Sequence, residues 1–313
     1  MLTKAHQNAG TEAHTPETVR IECADGVVLG GQLWAASNPS AAATVIINPA
    51  TGVAARYYRF YAHFLASHGF DVLTYDYRGI GNSRPENLRR TGFRWHDWGE
   101  KDFAAALDFV LARDLPQPIH VVGHSFGGVA PGFATNAGHI SRMLLVGAQY
   151  AYWRDYKRGK KLPLLAKWHL VMPALALLYG YFPGKKLGWL EDLPARVALD
   201  WAFMGKRLEN TVPTPQRKEI RQRFASVSAD ILAITLSDDE LGTPRAVART
   251  LSLYSGSRRQ QILLEPETLG YEKIGHFDLF HNRHAAGFWF DSLLWLRDGL
   301  NPWPASRIDR LAF

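Results

Sequence analysis

Two hydrophobic periods take turns along this chain, one of two residues and one of about 3.6. Residues 19–23 and 27–34 flank Ala24-Asp25-Gly26, and the Asp-Gly step supplies a tight reversal, so an antiparallel hairpin is predicted. The β-branched run 44–48 predicts a strand buried on both faces. Over 56–68 the apolar positions Tyr57, Phe60, Tyr61, Phe64 and Leu65 recur at helical spacing and stop at Gly69. Strand 70–75, helix 97–112, strand 119–123 and strand 143–147 follow, with a helix expected from Gly128 onward. After Gly147 the rhythm breaks. Residues 148–226 mix prolines, aromatics and basic side chains with no clear strand, which predicts a largely helical insertion. Strand 231–236, helix 244–255, strand 261–264 and a closing helix over 285–297 restore the alternation. Strand alternating with helix predicts an α/β fold, a mostly parallel doubly wound sheet with ligands gathered at the carboxyl ends of its strands. The chain of 313 residues then divides into a flexible start (1–17), one large domain (18–147 with 227–313) and the insertion (148–226).

Composition narrows the function. The single cysteine, Cys23, excludes an internal disulfide framework and sits far from any histidine cluster, so neither a zinc site nor a cysteine nucleophile is expected. Residues 1–17 are polar and lack the apolar core of a secretory signal. The most apolar window, 164–182, is interrupted by Lys167, His169, Pro173 and Gly180 and makes a poor membrane span, so a soluble, cytoplasmic protein is expected. The net charge of +7 is unevenly placed: residues 151–225 carry fifteen Lys and Arg against six Asp and Glu, and the rest of the chain is slightly acidic. Nucleic acid is therefore not an expected partner. A basic helical surface that steers an anionic substrate, or makes weak contact with a membrane surface or anionic lipid, fits this distribution.

The chemistry centres on Gly123-His124-Ser125-Phe126-Gly127, directly after strand 119–123. A serine at a sharp strand-to-helix turn takes a strained backbone that exposes its hydroxyl, and glycines are needed on either side. Serine is a weak nucleophile without a base, and the base needs an anion to hold its tautomer. Asp238 and Asp239 follow strand 231–236, and His276 follows the last strand, so the candidates run in the order Ser, Asp, His. His281 and His284 fall in or at the start of the closing helix, while His124 should point away from the Ser125 hydroxyl. Oxyanion donors are expected from the amide of Phe126 and from the turn Asn48-Pro49-Ala50-Thr51-Gly52; Pro49 has no amide hydrogen, which leaves Ala50 first and Thr51 second.

On these residues, and on Asp76-Tyr77-Arg78-Gly79-Ile80-Gly81-Asn82-Ser83, the chain resembles the α/β-hydrolase superfamily, serine-nucleophile branch, especially bacterial esterases similar to lysophospholipases and monoacylglycerol lipases. The resemblance covers residue 18 to the end apart from the insertion. It implies a Ser125-His276-Asp239 triad, with Asp238 as competitor, and a carboxylic-ester hydrolase working through an acyl-serine. It gives the 76–83 loop a structural role and makes 148–226 a cap over the site, with aromatics such as Trp168, Trp189 and Trp201 serving its pocket wall or its own core. Two departures stand out: Asn48-Pro49 where many relatives have His-Gly, and Pro131 inside the helix expected after the turn. The substrate implied is a small-molecule acyl ester, with no metal or organic cofactor. An acyltransferase would use the same triad, and a non-catalytic binding protein would keep only the fold.

Overall fold

The computed structural model describes residues 15–38 and 42–308. Of the expected flexible start, residues 1–14 lie outside the described residues, and Glu17 already opens the first strand. The chain builds β1 (Glu17–Glu22), β2 (Val28–Trp34), β3 (Ala43–Asn48), α1 (Arg59–Ser67), β4 (Phe70–Tyr75), α2 (Ala104–Ala112), β5 (Ile119–His124) and β6 (Ile140–Val146). It then leaves the sheet through α3 (Lys161–Leu165), α4 (Met172–Tyr179), β7 (Tyr181–Phe182), α5 (Gly184–Leu187), β8 (Leu193–Pro194), α6 (Ala195–Ala202) and α7 (Arg217–Ser226). It returns as β9 (Asp230–Leu236), α8 (Pro244–Leu253), β10 (Arg259–Leu264) and α9 (Phe290–Leu293), the last being the middle of a longer helical run from 285 to 298. The main sheet has eight strands in the order β1-β2-β4-β3-β5-β6-β9-β10. Only β1 with β2 and β2 with β4 run antiparallel; the remaining pairs are parallel.

Alternation decides the two cores. Ile46, Leu73, Val121, Leu145 and Ala233 face the side covered by α2, α7 and α8. Their neighbours Val45, Val72, Val122, Val146 and Ile234 face α1 and the closing helix. Successive side chains of a strand point to opposite faces, so strands apolar throughout must be covered twice.

Two expectations are corrected. The segment after Ser125 is two short 3-10 turns, Ser125–Gly128 and Ala130–Phe133, in place of a continuous α-helix. Pro131 has no amide to donate to Gly127, and its ring obstructs that carbonyl. Gly132 lies where a Cβ would stand 2.1 Å from the Phe224 ring. The buried Tyr254 hydroxyl takes over, reaching the carbonyls of Gly128 (2.9 Å) and Val129 (3.2 Å) and accepting from the amide of Gly132 (3.2 Å). The second correction is the short antiparallel ribbon β7–β8 inside the stretch expected to hold no strand.

The 76–83 loop ties the elements around the strand ends. Asp76 accepts from the amides of Ala55 (2.7 Å) and Asn82 (2.8 Å), fixing the approach to α1. Arg78, 1% exposed, holds Asp102 through Nε (2.5 Å) and Asp25 of the first hairpin turn through Nη1 (2.7 Å). Asp102 is wholly buried, and removing one partner of a buried ion pair leaves an uncompensated charge. Arg78→Met is therefore expected to lower the unfolding free energy by about 3–5 kcal/mol. Urea denaturation at neutral pH checks this, and a loss below about 1 kcal/mol, typical of an exposed pair, would contradict it.

Candidate active site

β5 carries Ser125 just beyond its carboxyl end with φ of +53°, in the left-handed region that side-chain-bearing residues rarely enter. The neighbours explain why the chain tolerates it. A Cβ on Gly123 would stand 2.6 Å from the Gly127 carbonyl oxygen, one on Gly127 would stand 2.1 Å from the Asn48 carbonyl oxygen, and one on Gly128 would meet Ala148 at 2.7 Å. The turn is wedged between the ends of β3 and β6, and Asn48 Nδ2 donates to the Gly127 carbonyl at 3.2 Å. Such strain costs on the order of 1–3 kcal/mol and persists only where the surroundings over-determine it.

His276 Nδ1 lies 2.7 Å from Asp239 Oδ2. The other Asp239 oxygen accepts from the amides of Leu241 (2.8 Å) and Gly242 (2.7 Å). Burial by itself would raise the Asp239 carboxyl, but the His276 charge and these hydrogen bonds outweigh it and hold the group below its ordinary value. An ionised Asp239 only accepts, so Nδ1 of His276 donates to it, and Nε2 is the ring nitrogen left for proton exchange. Asp238 binds backbone instead, its Oδ2 accepting from the amides of Ile274 (2.8 Å) and Gly275 (2.9 Å) and so bracing the loop that presents His276. Gly147, with φ of +56°, passes so close that a Cβ would sit 3.0 Å from Asp239 Oδ2 and 3.1 Å from the His276 ring.

Behind Ser125, a buried chain of hydrogen bonds joins the loops. The Ala50 amide donates to the Tyr58 hydroxyl at 2.9 Å, and that hydroxyl lies 2.7 Å from His124 Nδ1. His124 Nε2 lies 2.8 Å from the carbonyl oxygen of His276. A carbonyl only accepts, so Nε2 must carry the hydrogen, Nδ1 must accept, and Tyr58 donates to it. Burial, reinforced by the His276 charge, pushes His124 down to about 3, while burial holds the Tyr58 hydroxyl well above its usual value. The expectation that Ala50 supplies the second oxyanion donor is not met, because its amide is already committed to Tyr58. Within the same turn Thr51 is the remaining candidate, its hydroxyl accepting from Trp95 Nε1 at 3.0 Å.

Sequence reasoning passed over two residues of this arrangement. Tyr58 lies between the apolar positions of its helix and carried no periodic signal. Gln149 follows β6, and its Nε2 donates to Ser125 Oγ at 3.3 Å while its Oε1 accepts from the amide of Ala151. Ala151 has φ of +63°, so this loop is strained as well. Nothing in a Gln within an irregular stretch announces such a contact. His284 is instead paired with Asp278 at 2.8 Å, and His281 is exposed. Cys23 is buried, its thiol pushed up to about 12 mainly by burial. Among the described residues no three His, Cys, Asp or Glu side chains gather as metal ligands would.

A cleft of about 370 Å³ opens beside His276, walled by Leu164, Lys167 and Trp168 from the helical excursion and by Tyr57, Asp238 and Phe277. Stacked rings run from the turn into the excursion: Phe126 on Trp95 (4.6 Å between centroids), Trp95 on Trp201 (6.1 Å) and Trp201 on Trp168 (4.9 Å). The aromatics of this stretch therefore divide: Trp168 and Trp189 line clefts, Phe182 and Trp201 are buried, and Phe203 is 72% exposed.

The model of the family described as "Alpha/beta hydrolase family" matches residues 45–289. No curated protein sequence matches the chain. Among solved structures, DcsB in complex with a substrate analogue is similar with a TM-score of 0.60 and 18% identity, over 91% of this chain and 100% of that one. The esterase domain of a Rhodothermus marinus protein is similar with a TM-score of 0.54 and 19% identity, over 91% and 99%. The esterase EaEST of Exiguobacterium antarcticum is similar with a TM-score of 0.57 and 16% identity, over 90% and 100%.

The neutral His124 has a consequence for stability. Unfolded, its imidazole takes a proton near its ordinary 6.5; folded, it resists protonation down to about 3. Protons therefore favour the unfolded chain, and the contribution is complete above 6.5 and is lost as pH falls toward 3. At about 1.4 kcal/mol per pH unit, moving from pH 7 to pH 5 should cost about 2 kcal/mol through this group. His120, pushed down to about 4 mainly by burial, adds in the same direction. Urea titrations at both pH values, on wild type and His124→Gln, check this: the variant should show a shallower pH dependence, and equal slopes would contradict it.

Proposed function

Since the chain belongs to the alpha/beta hydrolase family, we propose that it is a serine hydrolase of carboxylic esters, with Ser125, His276 and Asp239 as its catalytic triad. The observation that carries this reading is the His276–Asp239 pair at 2.7 Å, on a loop whose His276 carbonyl is bonded to the residue immediately before Ser125. Ser125 attacks the ester carbonyl as His276 Nε2 takes its proton; the tetrahedral intermediate collapses, His276 returns the proton to the departing alkoxide, and an acyl-serine remains. Water activated by the same imidazole then releases the acid. Asp239 keeps Nδ1 protonated and stabilises the imidazolium throughout.

The developing oxyanion is held by the amides of Phe126 and Thr51, each such donor being worth on the order of a hundredfold or more in rate. Gln149 orients the Ser125 hydroxyl before substrate arrives and remains a donor to the oxygen as its proton leaves. Residues 148–226 act as a cap, and the cleft walled by Leu164, Trp168 and Phe277 receives the apolar part of a small-molecule ester.

A fluorophosphonate probe should label wild type and leave Ser125→Ala unlabelled. Hydrolysis of p-nitrophenyl esters of graded chain length should fall by at least about 10³-fold in that variant. Labelling that survives the substitution, or a wild type that neither labels nor hydrolyses any ester, would overturn the assignment.

A further inference from the structure

Residues Arg158–Tyr179 form one helical run of 22 residues with a mean hydropathy of 1.4 over its most apolar window, yet only 28% of that window is buried. It runs through α3, a π-helical segment (Ala166–Val171) and α4. One side is committed to the protein. Trp168 stacks on Trp201 of α6, and His169 donates through Nδ1 to the Ala202 carbonyl at 2.6 Å. On the other side Leu162, Ala166, Leu170, Ala174 and Leu177 recur every three or four residues and are exposed. Leu162 is 74%, Leu170 62%, Leu177 69% and Leu178 75% exposed.

Soluble chains rarely leave so continuous an apolar face in water. The charges around it select what covers it. The run contains no Asp or Glu. Lys157, Arg158 and Lys161 line one cleft at its start together with Arg154 and Arg245. At its far end stand Lys185 and Lys186, with Arg89 donating to the Tyr179 carbonyl at 2.8 Å. Carboxylates engage three cations of these ends, Lys160 with Glu240, Lys185 with Glu191 and Arg245 with Asp155. Both ends being basic, a second copy laid on this face in either direction would set cations against cations.

We propose that this face docks in the plane of a bilayer containing anionic lipid, its leucines entering the acyl boundary and its basic ends meeting the headgroups. The helix lies on the surface, because Trp168 and His169 hold its inner side to α6. Leu164, Lys167 and Trp168 of the same run wall the cleft beside His276, so docking sets the cleft mouth at the interface. Resting on the ester-hydrolase reading, the substrate class is then an acyl ester presented by the bilayer.

The test is co-sedimentation of the full chain carrying Ser125→Ala with vesicles of phosphatidylcholine, alone or with about one third phosphatidylglycerol. The result therefore stands apart from whether Ser125 is the nucleophile. The chain should pellet with the anionic vesicles and be released as salt rises toward about 1 M, where the screening length shrinks to about 3 Å. Adding Leu170→Asp with Leu177→Asp should weaken pelleting about tenfold or more, and adding Arg158→Glu with Lys186→Glu should remove the preference for anionic vesicles. Unchanged near-UV circular dichroism, and fluorophosphonate labelling of the leucine variant with Ser125 intact, report its folding. A chain that stays in the supernatant with both vesicle types would overturn the proposal. So would equal pelleting of the leucine variant, or a dimer in sedimentation velocity that the leucine substitutions dissolve.

Discussion

A neutral imidazole buried behind the candidate nucleophile holds the arrangement together. His124 presents one ring nitrogen to Tyr58 and the other to the backbone of His276, and Tyr58 passes the connection on to the Ala50 amide. The turn after β3, the turn after β5 and the loop of His276 are thereby joined through a single ring. Each group has one available role: the carbonyl accepts, the amide donates, and the buried hydroxyl stays protonated. The tautomer of His124 follows without choice. A protonated His124 would lose its acceptor nitrogen and leave the Tyr58 hydroxyl facing another donor, so the network is consistent only with the neutral ring that burial already favours.

The same economy governs the acidic pair after β9. Adjacent side chains of this turn diverge, so Asp239 meets the His276 ring while Asp238 caps two amides of the loop carrying it. One carboxylate sets the imidazole's proton and the other its position. Backbone strain is concentrated here too: of the three non-glycine residues with positive φ among the described residues, Ser125 and Ala151 lie in these loops, while Gly147 and Gly275 take the same region without that cost. The helices and strands carry these loops at their ends, which is how a rigid sheet holds costly conformations in place.

The long helix of the excursion passes through Pro173 without breaking. A proline collides with the carbonyl four residues earlier, here that of His169, and lacks a hydrogen to give it. The preceding π-helical segment widens the turn where that conflict falls. The run stays continuous, one face carrying Trp168 into the cleft wall while the opposite face remains apolar and uncovered.

Local periodicity along the chain was enough to establish the layered α/β sheet, because each strand's residues must satisfy two faces at once and the helices' apolar stripes must be buried against them. Chain position alone also marked Ser125, His276 and the two aspartates, through glycines around the turn at Ser125 and polar residues at strand ends. What Asp238 and Asp239 each bind, the commitment of the Ala50 amide to Tyr58, the reach of Gln149 to Ser125 and the substitution of Tyr254 for a helix after Ser125 came instead from the packing of distant segments. Each of these depends on a side chain from elsewhere in the chain arriving within about 3 Å of its partner, and hydrogen bonds of that length have no signature in the spacing of residues along one strand or helix. The exposed leucines are the reverse case: their period was present in the chain, but only packing decided which side of the helix would be left without a partner.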